Sequence, residues 1–280
     1  MSVTIRTCGG LGNQFAQRAF GYLLETFGNE IIFERSWFDN GDTRGWVLDR
    51  FNTEVKIGPV RGQCIQEGNL LYHPEFLKKY EEDVTLIGYW QAHQYRVPVE
   101  DTLRKTFTLR RYPSEKSLAV AREIENSNSV FLHIRRTDSL SGRGLINHGV
   151  CPQSYYQRAA SYISTRVPSP HFFIFSDDIE WCKQNINVFG YPATFVDHNS
   201  TGVTEDSQHE VRKTDNGTEH EDLWLMSRCK HSITANSSFS LWAAYLNANP
   251  EKIVVGPKQW FVPTSPHDGT DICQPEWVRL

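Results

Sequence analysis

Val130-Phe-Leu-His-Ile-Arg-Arg-Thr-Asp138 runs from a short apolar strand straight into two arginines flanked by a histidine and an aspartate. Strand-forming residues of this kind bury the backbone and carry the charge to the strand's carboxyl end. In open α/β sheets that end is where ligands are met, so Arg135 and Arg136 stand where an anion would bind. Side chains alternate along an extended chain, which puts His133, Arg135 and Thr137 on one face and Ile134, Arg136 and Asp138 on the other. One arginine can therefore reach a ligand while its neighbour is tied into the scaffold. The plainer alternative is a surface arginine pair with Asp138 as its ion-pair partner.

Outward from this stretch the chain alternates strands and helices. Upstream, Arg110-Arg-Tyr-Pro113 interrupts the pattern, and Ser114 is placed to cap a helix over about 115–125. Downstream, a helix over 153–166 leads to the strand His171–Ser176, which ends in Asp177-Asp178; a further helix, a strand at Ala193–Val196 and the strand His231–Ala235 follow. Near the N-terminus, Val3–Cys8 reads as a strand, Gly9-Gly-Leu-Gly-Asn-Gln14 as a glycine turn, and Phe15 to Phe27 as a helix, with a second strand at Glu30–Phe33. Strands separated by helices imply parallel sheets covered on both faces. The segment 36–68 gives no clear strand assignment. The polar stretch 198–220 is longer than ordinary connections and reads as a flap. The fold class is α/β, divided into an N-terminal Rossmann-like domain at 1–112, a C-terminal one at 113–263, and a surface tail at 264–280.

Three further motifs carry chemistry. The glycine turn brings backbone N–H groups at Gly10 and Gly12 close to a ligand, and Asn13 and Gln14 offer amides at the helix start. It matches a dinucleotide fingerprint except at the third glycine, where Phe15 stands, so a dehydrogenase reading fails. Asn236-Ser-Ser-Phe-Ser240 joins a strand to a helix, and its backbone N–H groups and the hydroxyls of Ser237 and Ser238 suit a diphosphate at the positive end of the helix dipole. Asp177 and Asp178 either cap the following helix or accept hydrogen bonds from a nucleobase such as guanine; no companion ligand makes them a metal pair.

Composition narrows the function. A net charge of −4 argues against general polyanion binding, while 39% hydrophobic residues describe an ordinary globular protein. The six cysteines are scattered without a C-x-x-C, which indicates neither zinc nor a disulfide scaffold. The start Met1-Ser-Val-Thr-Ile-Arg lacks a signal-peptide core and no stretch is apolar enough to span a membrane, so the expected location is cytoplasmic.

Taken together, Gly9–Gln14, Gly88-Tyr-Trp-Gln91, His133-Ile-Arg-Arg-Thr-Asp138, Phe175-Ser-Asp-Asp178, Asp222–His231, Ala235–Trp242 and Trp260-Phe261 resemble the family 11 glycosyltransferases, the α-1,2-fucosyltransferases, in their bacterial form. The resemblance implies a GT-B fold of two facing Rossmann-like domains. It also implies transfer of L-fucose from GDP-β-L-fucose, with inversion and without a metal or other cofactor, to the 2-hydroxyl of a terminal β-galactoside. That acceptor would be an oligosaccharide or a glycolipid, the latter bringing peripheral membrane contact; no nucleic acid is expected.

Arg135 is the expected catalytic cation, with Asn13 approaching the sugar from the other domain. The donor would be held by Gly10, Gly12, His133, Arg135, Asp177, Asp178, Asn236, Ser237, Ser238 and Phe239. The glutamate that follows the arginine motif in the α-1,6-fucosyltransferases has Arg143 at its place here, which leaves Asp138 and His148 as bases by chemistry alone. Trp37, Trp46, Trp90 and His93 are aromatic candidates for an acceptor platform, each open to plain core packing. A fucosyltransferase of another linkage, or a binding protein without turnover, are the alternatives.

Overall fold

The computed structural model describes residues 1–39, 45–137, 142–199, 203–205, 211–213 and 217–280, with backbone alone at 142–144, 203–205 and 211–213. Its chain divides into two compact units, one of residues 1–111, 203–215 and 268–274, the other of residues 112–202, 216–267 and 275–280.

In the first unit β1 (Ser2–Arg6), α1 (Leu11–Thr26), β2 (Glu30–Glu34), α2 (Ser36–Asp39), β3 (Gln63–Gln66), β4 (Val84–Ile87) and α3 (Glu100–Thr106) follow one another. The sheet is parallel in the order β2-β1-β4-β3. Ser2 through Ile5 are all buried, as a central parallel strand covered on both faces requires. Helix α1 is buried over most of its surface, so its polar residues need partners inside. Gln17 bonds Cys8 and the Gly88 carbonyl, and the Arg18 guanidinium lies 3.4 Å from the Tyr22 ring centre while pairing with Glu25 at 2.9 Å.

The second unit holds α4 (Glu115–Glu125), β5 (Asn128–Ile134), α5 (Gly142–Asn147), α6 (Gln153–Ser164), β6 (Pro170–Ser176), α7 (Ile179–Asn185) and β7 (Ala193–Phe195). The antiparallel pair β8 (Val203–Glu205) and β9 (Val211–Lys213) is counted with the first unit, and α8 (Glu219–Arg228), β10 (His231–Ile233), α9 (Ser238–Leu246), β11 (Val254–Gly256) and β12 (Val278–Arg279) complete the second. Its sheet is parallel in the order β12-β11-β10-β5-β6-β7. Strands β5 and β6 form its centre, with Val130, Leu132, Ile134, Phe172 and Ile174 packed with Tyr155, Ala159 and Ile163 of α6 and the alternate residues buried on the other face. Ser114 caps α4 as expected, its hydroxyl accepting from the Ser117 N–H. Both units are α/β, each built on a parallel sheet as the alternation of strands and helices implies.

Three expectations change. The segment 36–68, without a clear pattern in sequence, supplies the edge strand β3, short and half-polar as edges are. The tail does not lie on the surface: Ile272, Cys273 and Trp277 are buried, and Val278–Arg279 is a sheet strand. The flap assigned to 198–220 lies partly outside the described residues, at 200–202, 206–210 and 214–216. Its start is fixed, with the His198 imidazole 2.9 Å from the Ser117 hydroxyl and the Asn199 amide donating to Asp222 at 2.7 Å.

Candidate active site

In the second sheet the strand order reverses between β5 and β10, since β6 and β7 continue to one side and β11 and β12 to the other. The loops leaving those two strands flank the crevice where parallel α/β sheets bind ligands. One is the arginine loop, Arg135 to Thr137; the other is Thr234 to Ser237, running into α9. His133 and Phe239 join the two, their ring centres 5.6 Å apart.

The arginine loop is held from β6. Asp177 accepts from the Arg136 N–H at 2.8 Å, from the Thr137 N–H at 3.1 Å and from the Thr137 hydroxyl at 2.6 Å. One oxygen of Asp178 pairs with the Arg136 guanidinium at 3.0 Å and the other caps α7 by accepting from the Trp181 N–H. The Arg136 guanidinium also lies 3.7 Å from the Trp181 ring centre, a cation–π contact. Arg136 is thus the scaffold arginine, and Arg135 is half-buried beside it. For Asp177 and Asp178 the sequence allows capping of the following helix or acceptance from a nucleobase. Each of their oxygens accepts from the chain, so in this structure the pair acts as loop holder and helix cap. Asp138 lies outside the described residues.

At the start of α9 the backbone turns at Ser237, buried at the N-cap position without a side-chain capping bond. Ser240 fixes the turn instead, accepting from the Ala235 N–H at 3.2 Å and donating to the Ser237 carbonyl. Plain capping by the Ser237 hydroxyl is therefore not made. Asn236, expected among the donor-binding residues, spends its amide on the chain. Buried to 4% exposure, it donates to the carbonyls of His148, Gly149 and Trp260 and accepts from the Cys151 thiol. Every polar atom of its amide faces the protein, which makes it the tie that holds α9's entrance. His148 stands in the adjoining loop with its ring 4.9 Å from that of Phe261.

In the first sheet, β2 lies on one side of β1 and β4 on the other, so the loops after β1 and β4 meet in the corresponding place. Gly9 takes φ +80°, Gly10 is the N-cap of α1, and Gly12 is buried in its first turn. Asn13 accepts from the Gln91 side-chain amide at 2.7 Å, which ties the two loops together. Gln14, by contrast, is occupied entirely by the chain, donating to Gly9 and Gly45 and accepting from the Val47 N–H. A methyl group on Gly9 would lie 2.2 Å from the Asn13 amide nitrogen, on top of a backbone angle that L-residues avoid. Gly9→Ala is accordingly expected to cost about 1–2 kcal/mol for the left-handed angle alone and to displace Asn13; a lower melting temperature with impaired turnover would show it.

Of the aromatic candidates, Trp90 is core, 1% exposed and stacked on Phe20 at 4.1 Å. His93 is anchored to the Asp271 carbonyl through both its ring and its N–H. Trp37 and Trp46 remain half-exposed around Phe38. Sequence reasoning missed Glu67, whose buried carboxylate accepts from the Tyr89 N–H at 2.7 Å and the Trp90 N–H at 3.0 Å. It lies in the unassigned segment, and an acid at the end of a half-polar strand gives no signal of burial. Among the described residues no three His, Cys, Asp or Glu side chains gather as a metal site, and no helix is long and apolar enough to cross a membrane.

A half-buried arginine and a serine-bearing helix start at one switch point suit a diphosphate; a fixed amide pair at the other suits a hydroxylated ligand. This is the equipment of an α/β enzyme that handles a nucleotide sugar. Residues 79–280 match the glycosyl transferase family 11. An Escherichia coli alpha-1,2-colitosyltransferase is 30% identical over 100% of this chain and 99% of its own length. The O-antigen biosynthesis glycosyltransferase WbnK of Escherichia coli is 33% identical over 97% of this chain and 98% of its own. The galactoside alpha-(1,2)-fucosyltransferase 2 of Hylobates lar is 26% identical over 87% of this chain and 68% of its own. The chain belongs to glycosyl transferase family 11 and is a glycosyltransferase that uses a nucleotide sugar.

Proposed function

We propose that this enzyme transfers L-fucose from GDP-β-L-fucose to the 2-hydroxyl of a terminal β-galactoside, with inversion and without a metal. The observation that carries the reading is the arginine loop beside the start of α9 at the switch point of the second sheet. Transfer breaks the bond between the sugar's anomeric carbon and the diphosphate, so negative charge grows on departing GDP. Arg135 meets that charge, together with the N–H groups at the start of α9 and the hydroxyls of Ser237 and Ser238, all fixed before the reaction begins. Arg136, Asp177, Asp178 and Asn236 hold these groups in place. The acceptor hydroxyl attacks from the opposite face. Where bond breaking runs ahead of bond making, its proton needs only weak removal, and Asn13 orients the nucleophile.

A second reading has the same chemistry and a different donor. The colitosyltransferase relative aligns with the whole of this chain, which favours testing colitose, the 3-deoxy analogue of fucose, beside fucose. Purified enzyme is expected to convert GDP-fucose and lactose to an α-1,2-linked product in the presence of EDTA, with the linkage read by NMR. Transfer from GDP-colitose alone would move the assignment to the second reading. A different linkage, or GDP binding without turnover, would overturn the regiochemistry or the activity itself.

A further inference from the structure

Glu67 follows the edge strand β3, yet its side chain turns inward and is almost fully buried. Its two oxygens accept from successive backbone N–H groups, Tyr89 at 2.7 Å and Trp90 at 3.0 and 3.1 Å. These belong to the loop that leaves β4, and the loop is held under strain. Trp90 takes φ +52°, a left-handed angle for a bulky residue, which costs on the order of 1–3 kcal/mol and persists only where surroundings enforce it. Gly88 has no room for a side chain, because a methyl group there would lie 2.6 Å from Glu67 and 2.9 Å from Trp90. From this clamped backbone Tyr89 projects 41% exposed, and Gln91 reaches back to Asn13.

Resting on the reading of the chain as a galactoside transferase, we propose that Glu67 is a positioning residue for the acceptor. Its carboxylate clamps the backbone of residues 88–91, and through that loop it sets Asn13 and presents the Tyr89 ring to the apolar face of the acceptor sugar. Burial pushes the Glu67 carboxyl up to about 7 against the opposing pull of the Trp90 and Tyr89 N–H groups. The titratable groups facing it are His73, which bonds Glu75 and Asn69, and Tyr95, whose hydroxyl accepts from the His73 N–H. A protonated carboxyl turns one acceptor into a donor, which opposes one of the N–H groups it holds.

The test is steady-state kinetics of E67Q and E67D between pH 5.5 and 8.5, with GDP affinity measured by calorimetry and amide exchange followed at residues 89–90. Wild type is expected to lose acceptor kcat/KM as pH falls through about 7. E67Q is expected to lack that acid limb, to raise the acceptor KM roughly tenfold, and to keep wild-type GDP affinity. E67D, which keeps a carboxylate one methylene shorter, should restore the limb and part of the KM. Wild-type acceptor KM and an unchanged acid limb in E67Q would overturn the proposal. Should the wild type transfer no sugar to galactosides, the functional reading fails separately, and exchange still decides the clamp: amides 89–90 protected in wild type and released in E67Q support it, and equal protection refutes it.

Discussion

Arg135→Ala is expected to lower kcat for sugar transfer by about 10²–10³-fold, the usual cost of removing one preorganised partner of a developing negative charge. The bonds from Arg136 and Thr137 to Asp177 and Asp178 that hold the loop are all kept in this variant. Arg135→Lys keeps the charge and loses the planar fork that matches phosphate oxygens, so it should recover only part of the rate. Arg136→Ala is the contrasting case. It removes an ion pair and the cation–π contact with Trp181, so stability and activity should fall together. Full turnover in Arg135→Ala with ordinary donor affinity would remove Arg135 from the mechanism, and a melting loss as large as that of Arg136→Ala would make it structural.

The largest effect on stability is expected at Asn236. Alanine there deletes the amide that serves the carbonyls of His148, Gly149 and Trp260, all at a site 4% exposed. Buried acceptors left without a donor cost about 1–3 kcal/mol each. Since Gly149 is the longest of the three bonds and solvent can relax part of the loss, about 3 kcal/mol in all is a reasonable sum. For a unit of this size that corresponds to a drop of roughly 6–12 °C in melting temperature, readable by calorimetry. Asn236→Asp should be worse than its shape suggests, because it sets a carboxylate against three carbonyl oxygens. Turnover should fall as well, since α9 begins one residue beyond the Ser237 cap and loses its fixed entrance. A variant that melts like wild type but binds GDP poorly would return Asn236 to the donor site.

The arginine strand was legible because the run Val130–Ile134 passing directly into charge has one place in a parallel sheet, and β5 occupies it. The split between a scaffold arginine and a ligand-facing one followed from alternation, and Arg136 took the scaffold part through Asp178 and Trp181. What the sequence could not convey was which polar residues the protein would use on itself. Asp177, Asp178 and Asn236 have the right chemistry for a nucleotide, and apart from the Asp178 cap their side-chain bonds run to loops 24 to 88 residues away in sequence. Glu67 was invisible for the same reason. Its partners lie 22 and 23 residues along the chain, across a strand pairing that nothing local announces.

The path of the last residues bears on how this enzyme can be taken apart. After serving the second unit as far as His267, the chain lends 268–274 to the first unit, where Asp271 accepts from Tyr72 and His93 and the Ile272 carbonyl accepts from the buried Arg96, and then returns to close the second sheet with β12. A fragment ending at residue 111 would carry Arg96 without its carbonyl partner, and a fragment beginning at 112 would drag a foreign strap. Neither half is a free-standing module. Swapping N-terminal units between relatives would therefore work only if the seven-residue strap and residues 203–215 travel with the unit they complete, as an exchange of three pieces of sequence rather than one.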